Sequence, residues 1–258
     1  MKIIKDKHIP PEIFGLTQLR KLDIQNTRFF PGNETILPLN IRCFASSLNE
    51  LSISNTKITH LPDTIGDLQH LTILKLSNTG LISLPDTIGK LSSLTFLDLS
   101  NNNLTSLPIT IRNLRLLETL TLSHNPYLHH IEPINNLFSL QILDIRQCSI
   151  EILPKNLFQL KTLYMTNNHL ITLNGIETLG NETDSPKLFF FAHNHIQSLP
   201  TTIDQVKNLH ELHLNDNQLR TLPVNIRNIL TLKKLYVHNN FLNKIEFMDI
   251  SHRFNKNF

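Results

Sequence analysis

One sequence pattern recurs along almost the whole chain and limits the folds open to it. The stretch 71–94 reads LTILKLSNTGLISLPDTIGKLSSL, and the next 23 residues repeat the same spacing of leucines and of a leucine–proline pair. The unit is L-x-x-L-x-L-x-x-N-x-L-x-x-L-P-x-x-I-x-x-L-x-x. Self-similarity at a period of roughly 20–29 residues is typical of solenoids, in which each unit buries its apolar face against its neighbours. The sequence therefore predicts a repeat protein.

The repeat register predicts how the chain is organised. The position of the pattern's asparagine recurs every 23 residues, at Thr56, Thr79, Asn102, Asn125 and Cys148. Two polar segments with turn residues break the period, and we expect loops at 28–36 and 174–186. We predict one domain over residues 1–258, with a partial N-terminal repeat or cap (1–18), repeats (19–245) and a C-terminal cap (246–258).

Each repeat should contribute one short strand around its x-x-L-x-L segment and then return through its Leu-Pro half. Because side chains alternate along a strand, the leucines should point inward and the residues between them should face solvent. This predicts an α/β solenoid of about ten repeats, with one parallel sheet on a concave side and extended or 3-10 structure on a convex side. The repeated Asn should hydrogen-bond buried backbone groups. The weakest positions should then be Thr27, Thr56, Thr79 and Cys148.

Composition excludes several classes of function. The net charge is +3, with basic and acidic residues interspersed, so no single-sign surface predicts a nucleic-acid partner. No apolar run reaches the length of a signal peptide or a membrane span, so we predict neither. Cys43 and Cys148 both lie inside repeats. We expect both thiols to be buried and reduced, which favours a cytoplasmic location.

The units LPDTIGDLQHLTILKLSNTGL and LPDTIGKLSSLTFLDLSNNNL resemble the 23-residue intracellular leucine-rich repeats of the Ras-group or Shoc type. The chain is also similar to bacterial leucine-rich repeat effectors. The resemblance covers nearly the whole chain and implies the leucine-rich repeat horseshoe fold. It implies binding of another protein, usually through the concave face, by a monomer. Delivery into a host-cell cytosol as a bacterial effector is the alternative location that it suggests.

The 13 histidines raise the question of metal binding. His210 and His213 are separated by an odd number of residues and should point to opposite faces of a strand. His193 and His195 share a face, but the chain turns between them at Asn194. No nucleophile motif and no phosphate-binding glycine loop is found. We predict a protein that is not an enzyme and that needs no metal and no cofactor.

Aromatic residues mark the candidate binding surface. The residue between the two strand leucines forms a column through the stacked repeats: Asp23, Ser52, Lys75, Asp98, Thr121, Asp144, Tyr164, Phe190, His213 and Tyr236. Its last four members carry rings, and aromatic and arginine side chains dominate binding energy at interfaces. Arg146 and His238 flank them in the next column. A weaker apolar cluster lies at the strand entry, at Ile73, Phe96, Ile142 and Leu188.

We predict that a partner protein binds at Tyr164, Phe190, His213, Tyr236, His238, Arg146, Phe96, Asp98 and Asp144. A regulator or inhibitor that covers another protein's active site is one concrete form of this function. In one alternative, Phe190 merely packs against a neighbouring loop. In another, the protein is a scaffold whose contacts come from the loops at 28–36 and 174–186.

Overall fold

The computed structural model describes the backbone of residues 2–4 and all atoms of residues 11–26 and 37–243. The strands in this part of the chain are β1 (Lys2–Ile4), β2 (Lys21–Gln25), β3 (Glu50–Ser54), β4 (Ile73–Lys75), β5 (Phe96–Asp98), β6 (Thr119–Thr121), β7 (Ile142–Asp144), β8 (Thr162–Tyr164), β9 (Lys187–Phe190), β10 (Leu209–His213) and β11 (Lys234–Tyr236).

The segments that return between strands carry short 3-10 helices. These are η1 (Pro11–Gly15), η2 (Leu39–Phe44), η3 (Asp63–Asp67), η4 (Asp86–Lys90), η5 (Ile109–Asn113), η6 (Glu132–Ile134), η7 (Ile176–Thr178), η8 (Thr201–Gln205) and η9 (Val224–Asn228). The proline of the Leu-Pro pair precedes many of them in extended conformation, as Pro85 does before η4 (φ −72°, ψ 153°). A search of the described residues finds no helix with the length and hydrophobicity needed to cross a bilayer.

Contacts divide the chain into two compact units, Met1–Leu137 and Phe138–Phe258. In the first unit, β1 to β6 pair in chain order and in parallel. In the second unit, β7 to β11 do the same. The register follows the repeat, since Leu51 pairs with Leu74 and Leu74 with Leu97. The predicted leucine-rich repeat fold, with its parallel strands and 3-10 return segments, is confirmed.

Burial alternates along the strands as the pattern predicts. In β2 and β3 every second residue is buried, and the residues between are half-buried on the open face of the sheet. The leucines and isoleucines of the repeat fill the space between the strands and the return segments, and most of them are at or near 0% exposure. This apolar burial is the main stabilising contribution to a fold that has no other core.

Each repeat asparagine hydrogen-bonds buried backbone groups, as predicted. The Asn102 side-chain amide donates to the carbonyl oxygens of Leu76 (2.8 Å) and Leu99 (2.9 Å), and its Oδ1 accepts the Leu81 N–H at 3.0 Å. Equivalent bonds form at Asn125, Asn168, Asn194, Asn217 and Asn240. These bonds compensate backbone groups that water cannot reach.

The predicted weak positions are confirmed where the structure describes them. The Thr79 hydroxyl lies 3.1 Å from the Leu76 carbonyl oxygen and so replaces one of the amide bonds. The buried Thr56 hydroxyl has no hydrogen-bond partner among the described residues. The Cys148 thiol lies 3.7 Å from the Arg146 carbonyl oxygen, a weak contact. Thr27 lies outside the described residues.

One expectation needs correction, and two lie outside the described residues. Cys43 is exposed rather than buried, because it lies on the outer side of η2, whereas Cys148 is buried; neither forms a disulfide bond. Residues 2–4, Lys-Ile-Ile, form a strand that pairs with β2, within the segment predicted as a partial repeat or cap. The predicted loop at 28–36 and the C-terminal cap at 246–258 lie outside the described residues.

The repeat pattern is interrupted at the end of the segment 174–186. Pro186 stands where the pattern expects an inward leucine, but it is exposed, and Lys187 is buried in its place at 0% exposure. Lys187 pairs with Leu209, whereas Leu188 pairs with Glu211, so the register shifts by one residue at His210. A proline cannot donate a backbone hydrogen bond to the sheet. The lysine stem fills the apolar position in its place.

Candidate protein-interaction site

Four side chains from consecutive strands stack on the open face of the second unit. Tyr164 on β8 and Phe190 on β9 lie with ring centroids 4.7 Å apart and planes 17° apart. His213 on β10 lies 4.4 Å from Phe190, and Tyr236 on β11 lies 4.2 Å from His213. We call Tyr164, Phe190, His213 and Tyr236 the ring column. The structure thus brings together the four aromatic residues that the sequence pattern placed on one line.

The strands hold the ring column in place by direct pairing. Tyr164 pairs with Phe190, and Phe190 pairs with His213. Neighbouring rings therefore belong to residues that are paired across adjacent strands. The inward neighbours of Phe190, Phe189 and Phe191, are at 0% exposure and anchor β9 in the core. Aromatic contacts of this kind each contribute about 0.5–1.5 kcal/mol beyond area burial. The ring contacts of Phe190 are therefore with other strands of the sheet, and they fix its orientation.

Arg146 covers the first ring of the column. Its guanidinium carbon lies 5.2 Å from the Tyr164 ring centroid, a distance typical of cation–π contacts. Asp144 receives two hydrogen bonds from the same guanidinium, from Nε at 2.9 Å and from Nη2 at 2.7 Å. This bidentate bond to Asp144 raises the pKa of Arg146 above its ordinary value, against an opposing effect of burial. Asp144 is thus a positioning residue for Arg146, and its carboxylate is itself buried.

Glu211 links the third and fourth strands that carry rings. Its carboxylate accepts from the Lys234 ammonium at 2.8 Å and lies 3.4 Å from Nε2 of His213. The hydrogen bond from Lys234 is the largest cause that lowers the pKa of Glu211. Burial is the largest cause that lowers the pKa of His213, although Glu211 opposes it. His213 is therefore neutral at pH 7, and its contact with Glu211 is a weak hydrogen bond rather than an ion pair.

Polar residues at the strand ends border the ring column. The Asp216 carboxylate accepts from the amides of Asn215 (2.7 Å) and Asn239 (2.8 Å) and lies 3.5 Å from Nε2 of His193. The hydrogen bond from Asn239 is the first cause that lowers its pKa. His238 is exposed, and its charge contributes to the same lowering. His238 therefore belongs to this polar border and does not stack with the rings.

The segment at 174–186 is fastened beside β9 by basic and amide side chains. The Lys187 ammonium donates to the carbonyl oxygens of Thr183 (3.1 Å) and Lys207 (2.5 Å). Lys207 donates to the Asn181 carbonyl at 3.0 Å, and Asn208 donates to that of Asp184 at 2.9 Å. Burial is the main cause that lowers the pKa of Lys187. This segment therefore packs as part of the fold and precedes the strand that carries Phe190.

Two of the predicted site residues lie in the other compact unit. Phe96 and Asp98 are on β5, where the Lys75 ammonium lies 5.6 Å from the Phe96 ring centroid. Asp98 accepts the backbone N–H of Ser100 at 2.9 Å. Ile73 pairs directly with Phe96, as the strand-entry pattern predicts. These residues form a small patch of their own on the first unit.

Sequence reasoning missed Glu211 and Asp216. Glu211 lies two residues before His213 and so shares its face of the sheet, as Asp144 and Arg146 share theirs. A search for charged residues at this spacing would have found it. Asp216 lies where β10 has ended and the chain turns with positive φ (56°). The alternation rule of a strand does not apply there, so only the structure places it.

The described residues contain no group of three or more His, Cys, Asp or Glu side chains that could hold a metal ion. His169 and His195 stack at 5.6 Å with parallel planes, outside the ring column. His210 lies 2.9 Å from the Asn208 carbonyl oxygen, and His213 faces Glu211. His210 and His213 thus have separate partners, and the register shift at His210 interrupts the alternation on which their predicted opposite orientation rested.

The fold is a leucine-rich repeat solenoid that carries an aromatic patch on its sheet. A family model described as a leucine-rich repeat region matches residues 40–130. No curated protein sequence matches the chain significantly. Repeat proteins of this kind typically act as interaction modules.

Three solved structures illustrate the likeness in fold. A leucine-rich repeat protein of Leptospira interrogans is 24% identical, with a TM-score of 0.60 over 95% of this chain and 91% of that one. An internalin of Listeria monocytogenes is 19% identical, with a TM-score of 0.74 over 93% and 73%. A chain of the Toll–Spatzle complex of Drosophila is 22% identical to this chain, with a TM-score of 0.75. The match covers 91% of this chain and 33% of that chain.

Proposed function

We propose that the protein is a non-catalytic interaction module that binds and regulates a partner protein through the ring column. The observation that supports this proposal most directly is the continuous stack from Arg146 through Tyr164 to Tyr236, in which the centroid of each ring lies 4.2–4.7 Å from the next. Stacked rings held by paired strands lose little conformational freedom on binding, which favours affinity. Such aromatic and arginine residues are the side chains that act as binding hot spots.

Proteins of similar fold support this proposal by analogy. Toll is in complex with Spatzle, and the Arabidopsis receptor kinase HAESA is in complex with a peptide hormone and a co-receptor. At 22% identity the likeness supports the class of function and not the identity of any partner.

The geometry of the ring column argues against nucleic-acid binding as its main role. Nucleic-acid bases bind aromatic platforms by stacking on exposed ring faces. The faces of Phe190 are covered by Tyr164 and His213, and those of His213 by Phe190 and Tyr236. The column therefore offers ring edges and tyrosine hydroxyls, which suit contacts with a protein surface.

Inhibition of the partner by covering its active site is the concrete form of regulation that we propose. The cytoplasmic location, the monomeric state and the alternative role as an effector inside a host cell stay predictions. The scaffold hypothesis, with contacts from the loops at 28–36 and 174–186, also stays a prediction, and the structure describes the second of these loops. Lys187, Lys207 and Asn208 donate hydrogen bonds to three carbonyl oxygens of the segment 174–186 and so hold it against the fold.

An affinity capture with matched variants tests the proposal. Tyr164→Ala, Phe190→Ala and Tyr236→Ala are combined in one chain, and Tyr127→Ala, Leu230→Ala and Phe241→Ala are combined in a control. The control residues are exposed, at 57%, 87% and 69%, and lie outside the strands. We expect partners captured by the wild type and the control to be lost from the ring variant. Two anchors of about 2 kcal/mol each would reduce the affinity by about 1,000-fold. Equal capture by both variants would reject the ring column as the site.

A further inference from the structure

In the two ion pairs at the ends of the ring column, and in the His193–Asp216 contact, the acidic partner is the more buried one, whereas Glu211 and His213 are about equally exposed (23% and 21%). Side-chain exposure is 48% for Arg146 against 11% for Asp144, and 46% for Lys234 against 23% for Glu211. It is 53% for His193 against 26% for Asp216. The carboxylates thus lie close to the sheet and the nitrogen groups lie outside them. An approaching molecule meets hydrogen-bond donors first.

The three carboxylates already accept hydrogen bonds from other side chains of the protein. Asp144 holds two guanidinium nitrogens of Arg146, Glu211 accepts from Lys234, and Asp216 accepts from Asn215 and Asn239. A guanidinium has five N–H groups, so Arg146 keeps donors for a partner after both bonds to Asp144. An ammonium has three, so Lys234 also keeps donors after its bond to Glu211. The surface therefore has spare donors and few spare acceptors.

The two outer cations stand at opposite ends of the ring column. Arg146 follows β7 by two residues, and Lys234 begins β11, four strands further along the second unit. The register places Lys234 level with Ile142, four residues before Arg146. Four strand spacings of about 4.8 Å and an offset of about 13 Å along the strands give a separation of roughly 23 Å. An extended chain rises about 3.3 Å per residue, so about seven residues span this separation. Ring edges carry a partial positive charge, which favours carbonyl and carboxylate oxygens along the same path.

We infer that the ring column receives an extended acidic segment of a partner protein, with carboxylates at its two ends seated on Arg146 and Lys234. This inference rests on the proposed function and specifies the chemistry of the partner. A basic segment would meet the outer cations before it reached any carboxylate. A purely apolar segment would leave the donors of Arg146 and Lys234 without partners.

A peptide selection tests this inference without knowledge of the natural partner. Random peptides of about 12 residues displayed on phage are selected on the wild type and depleted on the Tyr164→Ala, Phe190→Ala, Tyr236→Ala variant, which leaves peptides that need the rings. These peptides are then measured on a quadruple variant with Asp144→Asn, Arg146→Gln, Glu211→Gln and Lys234→Gln. The quadruple variant loses two cations and two carboxylates, so its net charge is unchanged. A change in peptide affinity would therefore come from the replaced groups and not from the net charge.

We expect the ring-dependent peptides to contain about twice as much Asp and Glu as the starting library, with pairs of acidic residues about six to eight positions apart. Their affinity for the quadruple variant should fall by at least about ten-fold. A control with Arg112→Gln and Arg220→Gln removes two exposed cations outside the strands and should bind as the wild type does. If the quadruple variant does not fold, its two halves, one for each ion pair, carry the same test.

Ring-dependent peptides without acidic enrichment, or with equal affinity for the quadruple variant, would overturn the inference and leave the protein-binding function intact. A selection that gives peptides indifferent to the rings would count against the proposed function itself, and with it against the inference. The two failures are therefore distinguishable.

Discussion

The Lys187 ammonium donates a hydrogen bond of 2.5 Å to the carbonyl oxygen of Lys207, at a position where the repeat pattern would place a leucine. It donates a second to the Thr183 carbonyl at 3.1 Å, so a buried cation joins two return segments of the second unit. The hypothetical Cβ of a residue in place of Gly180 would lie 2.5 Å from the lysine Cε. Gly180, at φ +65°, thus leaves room for the lysine stem.

Replacement of Lys187 by Met tests whether these hydrogen bonds stabilise the fold. The methionine keeps a flexible apolar stem and leaves two carbonyls without their donor, so we expect a loss of about 1–3 kcal/mol in the free energy of unfolding. Urea denaturation measures it. Lys207→Met removes an exposed lysine and should change stability by less than about 0.5 kcal/mol. A Lys187→Met variant as stable as the wild type would show that these bonds contribute nothing net.

Phe189 and Phe190 are neighbours in sequence, and we expect their substitutions to have different effects. Phe189 is at 0% exposure, so Phe189→Ala should cost about 3–5 kcal/mol of unfolding free energy, as is typical of large cavities. Phe190→Ala removes two ring contacts on the open face and should cost about 1–3 kcal/mol. Denaturation curves of the two variants check this order. An equal loss would mean that Phe190 is as much a core residue as Phe189.

The pH dependence of stability should depend in part on His213. Its pKa in the folded state is lowered from 6.5, chiefly by burial. As the pH falls below 6.5, the unfolded chain takes up a proton at this residue before the folded chain does, so the folded state becomes less stable. The contribution of His213 to the free energy of unfolding is fully present above pH 6.5 and is lost as the pH falls toward the folded-state pKa.

His213→Phe keeps a ring in the column and removes the titration. The difference in unfolding free energy between the wild type and this variant should therefore shift against the wild type below pH 6.5, whereas the other histidines cancel in the comparison. Denaturant titrations at several pH values between about 5 and 8 measure the difference. A difference that is constant over this range would contradict the assignment.

The repeat asparagines should contribute more than their size suggests. Asn194 donates to the carbonyls of Met165 (2.9 Å) and Phe191 (3.0 Å) and accepts the Leu170 N–H at 3.0 Å. Asn194→Ala leaves these buried groups unpaired and should cost about 2–5 kcal/mol in the free energy of unfolding. Asn194→Thr should be intermediate, because the natural Thr79 keeps a carbonyl contact. Asn103→Ala, at an exposed position with negative φ, is the control and should cost less than about 1 kcal/mol.

The candidate site could be predicted in part because it repeats the fold's own period. Tyr164, Phe190, His213 and Tyr236 share one position of the unit, and paired strands place that position on a line. Glu211 and Asp216 could not be recognised in the same way, since their role depends on distances to Lys234 and Asn239 across strands. Asp144 was predicted as a contact residue, and the structure shows it buried beneath Arg146.

The sequence alone determined the repeat, the strands, the inward leucines and the order of residues along the open face, because a strand's alternation and a regular register are local properties. Tertiary structure decided that Lys187 and not Pro186 turns inward, that residues 2–4 add a strand, and which member of each ion pair lies outermost. The orientations of Lys187 and of the ion pairs depend on the balance between desolvation of a charge and the partners that neighbouring strands offer it. The strand at 2–4 depends on backbone pairing with β2. That balance is set only when the repeats are stacked.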